Sequence, residues 1–374
     1  GVNEVSRDPS HPNRIYIAGS ECFVSENFGS AASLGLSGTG YDVKVSGDGS
    51  VVMFISRFSS FNYNISTDGG SSFSTLPFGL PATGSRSECA ITDVKNAQGF
   101  FNIYVSNSTS GGILGGVFLS EDHGANWTNI GPGGGSLFTP FTTGIGTGQG
   151  LYDQVISYIP SKPDECLLGG IDQYHWQKSP GSDPTWGGWT QMSIWSAHPT
   201  SPSYIHADQH EMKWNSAGEF WYGNDGGLGS SFGTPPNGIF YPANKGYNVT
   251  QFYSMAFDKD GAVMGGTQDN GTLYNDFSFA STLQFAEVSG GDGFDCDISH
   301  FNKEAMISSI YNSSISRTED GGSNWQNISP PCASAAPGTS GCGSFITQLR
   351  LFEDANDADS QDYIQLIPDS TIPL

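Results

Sequence analysis

Only 14% of the 374 residues are charged, against 51 glycines and 13% aromatic residues, so the chain suits short strands joined by many turns and offers little to long helices. Lys and Arg number 14 against 37 Asp and Glu, and the formal net charge of -23 excludes nucleic acid and anionic membrane surfaces as partners while leaving cations, neutral sugars and basic proteins. No apolar run reaches the roughly 18 residues that a membrane span needs, so none is expected.

Taken in chain order, strand-like runs and turn clusters recur as seven units, at a spacing of roughly 40 to 60 residues. The first opens at VNEVSRDPSHPNRIYIAGS and closes in SENFGSAA; the second runs from YDVKVSGDGSVVMFIS to STDGGSSF. The third goes from CAITDVKN through FNIYVSNS and GGVFLS to SEDHGANW, and the fourth from LYDQVISYIPSKPDECLLGGI to SPGSDPTWGGW. Unit five is IHADQHEMKWNSAGEFWYGNDGG, unit six TQFYSMAFDKDGAVMGGTQDNG, and unit seven FDCDISHFNKEAMISSIYNSSISR followed by TEDGGSNW. Each has the grammar of four antiparallel strands. Apolar residues on both sides of strands such as SVVMFIS predict sheets covered on both faces, and radial blades provide that cover.

Three units end in one eight-residue word, S/T-x-D-x-G-x-x-aromatic, at Ser66–Phe73, Ser120–Trp127 and Thr318–Trp325. Its physics is local: Asp68, Asp122 and Asp320 bond downstream backbone N–H groups, glycine supplies a positive φ, and the aromatic plugs the turn into apolar packing. Each word therefore predicts a self-closed hairpin corner with a structural Asp. The expected fold is all-β, a propeller of about seven four-stranded blades over residues 1–330. Residues 331–374 are expected to hold a disulfide loop and the start of an eighth blade or of a following domain. Cys332 and Cys342 bracket that Pro/Gly/Ser loop and read as a local disulfide of an oxidising compartment; Cys22, Cys89, Cys166 and Cys296 read as buried small hydrophobes. Gly1 stands directly before a strand, which predicts a chain processed or excised from something longer.

The corner words resemble Asp boxes, or BNR repeats, as found in sialidases, family 74 xyloglucanases and sortilin-type receptor domains. A narrower succession (GQGLYDQVIS, YIHADQHEMKW, WYGNDGGLG, QFYSMAF, GGTQDNGTLY, SGGDGFDCDI) is similar to glycosyl-hydrolase-like BNR or sortilin-type proteins exported by Bacteroidota and related bacteria. That resemblance implies an exported, modular, extracellular or cell-surface protein and implies no particular reaction, because one fold hosts many functions. Sialidases carry an arginine triad and an Arg-Ile-Pro strand; Arg14-Ile15-Tyr16 is the string nearest to the latter, and Arg57, Arg86, Arg317 and Arg350 show no accompanying pattern.

Three constellations could carry chemistry. His206, Asp208 and His210 alternate in IHADQHEMKW; on a strand they would share one face with His206 and His210 roughly 13 Å apart, so one ion could take Asp208 and one histidine only. Asp153, Asp208, Asp225, Asp269 and Asp292 lie mostly in or beside inner-strand positions of consecutive units and are expected to line or brace a channel mouth. Carboxylates beside Gly carbonyls are hard-oxygen chemistry, so Asp208, Asp225 and Asp269 are candidate Ca²⁺ ligands, with strand capping as the plain structural alternative. Trp176, Trp186 and Trp189 crowd unit four, where the corner word is lost; exposed, they would form a platform for a sugar or a protein, and buried, they would plug a blade interface.

The sequence thus predicts a recognition or adhesion module that binds glycans or partner proteins through blade loops and channel mouth, within a larger polypeptide. A glycoside hydrolase acting on a neutral polysaccharide, with two of these aspartates about 5 to 9.5 Å apart, is the competing class. A structural module of a surface filament is the third. Binding is preferred over catalysis.

Overall fold

The computed structural model describes residues 1–374 apart from 77, 132–137, 143–147, 179–187, 247–249, 278–284, 330–343, 355 and 357–374. Its described residues form seven four-stranded antiparallel sheets, and the protein is an all-β propeller of seven blades. Each of the seven units read from the sequence is one blade. The first strands are Val2–Arg7, Thr39–Val45, Arg86–Lys95, Val155–Ile159, Gln209–Trp214, Phe252–Phe257 and Cys296–Ile298. In every blade the four strands pair in chain order, each with the next.

The chain forms two compact units, Gly1–Asn244 with the first five blades and Lys245–Leu374 with the last two. Within the first, successive first strands lie against one another, and within the second the first strands of blades six and seven do the same. The core is divided accordingly, into one apolar cluster at each interface between successive blades of a unit. Tyr16 and Val52 share the cluster between blades one and two, Ile55 and Ile103 that between two and three, and Tyr104 and Trp176 that between three and four. Leu167 and Met212 meet between blades four and five; in the second unit Met264 and Met306 meet between six and seven. Sheets covered on both faces explain why second strands such as Phe101–Ser108 are buried throughout.

The corner words join third to fourth strands and repeat one hydrogen-bond pattern. In Ser66–Phe73, Asp68 Oδ1 accepts from Ser66 Oγ (2.7 Å) and from the Ser72 N–H (2.9 Å), while Ser66 Oγ accepts from the Gly70 N–H (2.8 Å). Asp122 accepts from Ser120 and Asn126, and Asp320 from Thr318 and Asn324, in the same way. These bonds hold Asp68 and Asp320 at a pKa of about 2, chiefly through the Ser66 hydroxyl and the Asn324 side chain respectively. The aromatic, however, does more than plug its own turn. Phe73, Trp127 and Trp325 each pack into the cluster shared with the preceding blade. Tyr16 of blade one donates its hydroxyl to Gly69 O of the blade-two word (3.0 Å). A Cβ on Gly70, whose φ is +82°, would stand 2.3 Å from that hydroxyl. The word is thus a staple between neighbouring blades as well as a corner.

A second device links first strands: a polar side chain on one accepts a backbone N–H from the next. Asp42 Oδ2 takes the Cys89 N–H (2.7 Å) and Ser254 Oγ the Cys296 N–H (3.3 Å). Beyond blade seven, Asp295 Oδ2 takes the Leu349 N–H (3.0 Å) and Asp297 Oδ2 the Leu351 N–H (3.1 Å), with Leu349 and Leu351 packed on Ile307 and Ile315. The stretch 344–354 so lies along blade seven in the relation of a following first strand, without forming one. The four described cysteines are free and buried; the expected Cys332–Cys342 disulfide lies outside the described residues.

Candidate functional site

The polar convergence of the first unit lies where the entry to blade four meets the entry to blade five. The stretch 148–153 is folded as a tight turn, with the Tyr152 and Asp153 N–H groups both donating to Gln149 O (2.7 and 3.1 Å). It is sewn to the blade-three hairpin by Gly148 N–H to Gly111 O (2.8 Å) and Gly150 N–H to Gly112 O (2.9 Å). A Cβ on Gly148 would come within 2.5 Å of Gly112 O, and one on Gly150 within 2.8 Å of the same oxygen, which is why these two positions need glycine. Arg86 braces the turn from the neighbouring first strand. Its Nη1 donates to the carbonyls of Leu151 (3.3 Å) and Tyr152 (2.8 Å), and its Nε to Glu88 (2.8 Å).

Gln149 Nε2 sits between two carboxylates, donating to Asp153 Oδ2 (3.0 Å) and to Asp208 Oδ1. One nitrogen within bonding reach of both places the two oxygens within roughly 6 Å of each other. Asp153 is fully buried, and its Oδ1 has no hydrogen-bond partner among the described residues. Burial, with the Asp208 charge adding to it, pushes its pKa up to about 8, against the lowering effect of Gln149. Asp208 is half-buried and its pKa is likewise raised, by burial first and by Asp225 next.

Beside this pair, Asp225 is held from two sides. Tyr152 donates its hydroxyl to Asp225 Oδ2 (2.9 Å), and His210 Nε2 bonds Oδ1 (2.7 Å). The hydrogen bond to Asp225 raises the His210 pKa, over the opposing effect of burial. The Tyr152 ring stands edge-on to His210, with centroids 4.7 Å apart, and is 48% exposed; its neighbour Leu151 is 63% exposed. The cluster therefore presents a solvent-facing ring on a base of mutually bonded polar groups.

The structure brings Asp153, Asp208, His210 and Asp225 together through the 148–153 turn and the entry to blade five. The expected strand face for His206, Asp208 and His210 is not formed: the strand starts at Gln209, and Asp208 has a φ of +67°, a left-handed conformation that Asp tolerates better than most side chains. His206 lies against Gly226, where a Cβ would meet its side chain at 2.5 Å, and its carbonyl accepts from Gln209 Nε2 (2.7 Å) and Asn224 Nδ2 (3.0 Å). Asp269 and Asp292 belong to the second unit, where Asp292 Oδ1 accepts the Asp269 N–H (2.9 Å). Of the expected Ca²⁺ set, Asp208 and Asp225 belong to the first unit and Asp269 to the second; among the described residues no group of three His, Cys, Asp or Glu side chains that could hold a metal ion is found.

The tryptophans divide differently from a platform. Trp176 is fully buried between blades three and four, its ring 6.1 Å from Tyr104. Trp189 packs on the same cluster, stacks near Phe138 (4.5 Å) and donates Nε1–H to Ile130 O (2.7 Å). Both plug the interface because unit four supplies no corner-word aromatic to do so; Trp186 lies outside the described residues. Sequence reasoning missed Gln149, Tyr152 and Arg86. The signal available for the first two was their place in GQGLYDQ, beside an aspartate already singled out.

No family model matches this chain, and no curated protein matches it. Solved structures do. One is YCF48 bound to D1 peptide, at TM-score 0.39 and 14% identity over 82% of this chain and 89% of that one. Another is the GH74 xyloglucanase from Xanthomonas campestris, at TM-score 0.45 and 16% identity over 92% of this chain and 62% of that one. A GH74 enzyme of Niastella koreensis follows at TM-score 0.44 and 14% identity, over 91% and 60%. The chain thus spans less than two thirds of either GH74 protein. At such identities the likeness concerns fold alone.

Proposed function

We propose that this chain is the recognition module of an exported or cell-surface protein and that it binds a glycan at the Tyr152–His210–Asp225 cluster. The observation that carries the proposal is the exposed Tyr152 ring fixed above a polar base that is already assembled. Aromatic faces stack on the apolar faces of sugar rings, and carboxylate and imidazole groups beside them bond hydroxyls. Because Arg86, Gln149 and the glycine contacts hold the turn, little ordering is left for binding to do. An uncharged sugar also suits a chain of net charge -23 better than an anionic one.

Hydrolysis is less well supported. A general acid must reach the glycosidic oxygen. Asp153, whose raised pKa would suit that role, is fully buried behind Gln149.

The test is a glycan array probed with the wild-type chain and with Tyr152→Ala and Asp225→Asn. Binding to a set of neutral glycans by the wild type, lost in Tyr152→Ala and weakened about tenfold in Asp225→Asn, is expected. A wild type that binds no glycan, or variants with an unaltered profile, would refute the proposal.

A further inference from the structure

The second unit carries an aromatic surface of its own. Phe294 is 1% exposed and forms its floor. Around it stand Tyr253, with ring centroids 4.7 Å from Phe294, and Phe345 at 5.3 Å; Tyr311 stacks on Phe345 at 6.3 Å with planes 10° apart. These three outer rings are 38%, 56% and 40% exposed, a concentration of open aromatic area that a stable surface does not need for its own packing.

Its rim is acidic and rigid. The turn at Gly291–Gly293 is laced to the turn at Asp269–Gly271 by Gly271 N–H to Gly291 O (2.9 Å) and Gly293 N–H to Thr267 O (3.0 Å). A Cβ on Gly293 would stand 2.4 Å from Gly271 O, so only glycine permits this approach. The lacing brings Asp292 to Asp269, whose N–H it accepts, and places both carboxylates near the Tyr253 phenol; burial first, and then these two charges, raise the phenol's pKa. On the other side the Tyr311 ring lies 3.5 Å from the position of a Gly291 Cβ. No Lys or Arg side chain pairs with Asp292 among the described residues of this unit, where five Lys and Arg face thirteen Asp and Glu.

We propose that this surface is a docking site for a basic segment of a partner protein, an arginine or lysine seated between the Tyr253, Tyr311 and Phe345 rings with its charge at Asp292 and Asp269. Open aromatic faces attract a cation through their quadrupole, and a guanidinium adds stacking and paired hydrogen bonds to a carboxylate. A neutral sugar would use the rings and leave the Asp292 charge without a cation. The site stands on residues of the second unit alone, so its test is independent of the glycan proposal.

The measurement is fluorescence anisotropy of the full chain with a labelled Arg-Gly repeat peptide, and with the same peptide carrying neutral citrulline in place of arginine. Asp292→Asn keeps an oxygen that can accept the Asp269 N–H and removes only charge; Tyr311→Ala removes a ring; Asp260→Asn removes one exposed charge paired with Lys259 elsewhere in the unit. Expected is binding of the arginine peptide alone, weakened roughly tenfold by Asp292→Asn and by Tyr311→Ala and unchanged by Asp260→Asn. An equal loss in Asp260→Asn would show attraction to the general field, equal binding of the citrulline peptide would show that no cation is read, and absence of binding by the wild type would remove the site; each overturns the proposal. Should Tyr311→Ala not fold, the Asp292→Asn and Asp260→Asn pair decides alone.

Discussion

Asp153, beside the Tyr152–His210–Asp225 cluster, is held far from ordinary carboxylate chemistry, and its state has a stability consequence. Its folded pKa of about 8 lies above the usual 3.8, so the folded chain holds a proton that the unfolded chain releases. Stability is then greatest below pH 4 for this group and falls as pH rises toward 8. Glu88, buried and also raised to about 8, acts in the same direction, as does His210 with its raised pKa, whose contribution is lost as pH rises through its folded value. Asp68 and Asp320 act oppositely, but only as pH falls toward 2. Asp153→Asn keeps the acceptor for Gln149 and has no proton to lose. We therefore expect the melting temperature of that variant to fall less between pH 5 and pH 9 than that of the wild type, by differential scanning fluorimetry; parallel curves would show that Asp153 is ionised in the folded chain. Asp153 and Asp208 were legible because aspartates recur at the entries of consecutive units, and Asp225 because it stands in a turn string, NDGG, between two strands. Gln149 and Tyr152 were not, since their roles arise only when the 148–153 turn closes on its neighbours, and Arg86 acts through backbone carbonyls that no sequence pattern marks.

Elements of the fold were more readable than the contacts between them. Alternating strands and turn clusters divided the chain into the seven blades observed, because each blade closes locally and carries its own turns. The IHADQH string misled: alternation of polar residues is the same whether the backbone is extended or, as at Asp208, turned left-handed. The corner word was read correctly as a turn, whereas its grip on the preceding blade depends on packing across an interface. That grip can be measured. Gly70 and Gly218 have similar φ values, +82° and +77°, but a Cβ on Gly218 meets nothing within 4 Å and one on Gly70 meets Tyr16. Gly218→Ala should cost about 1 kcal/mol and Gly70→Ala about 2 kcal/mol or more in urea unfolding. Equal costs would mean that the Tyr16 contact contributes nothing to the staple.

At the scale of the whole molecule, separate apolar clusters between blades leave the loops and strand entries at one end of each sheet free to vary without breaking a common core. Unit four shows the exchange directly: where it lacks a corner-word aromatic, Trp176 and Trp189 fill the interface, and the turn 148–153 carries the Tyr152 ring outward. The tryptophans drew attention in the sequence because aromatic residues signal both binding and packing, and burial alone separates the two. Function on this account belongs to the entries of blades four and five, away from the repeated words. Hydrogen–deuterium exchange of the wild-type chain, with and without a neutral oligosaccharide selected by the array, tests that placement most directly. Added protection confined to the peptides spanning Gly148–Asp153, His206–His210 and the Asp225 turn is predicted; protection elsewhere with those peptides unchanged would contradict it.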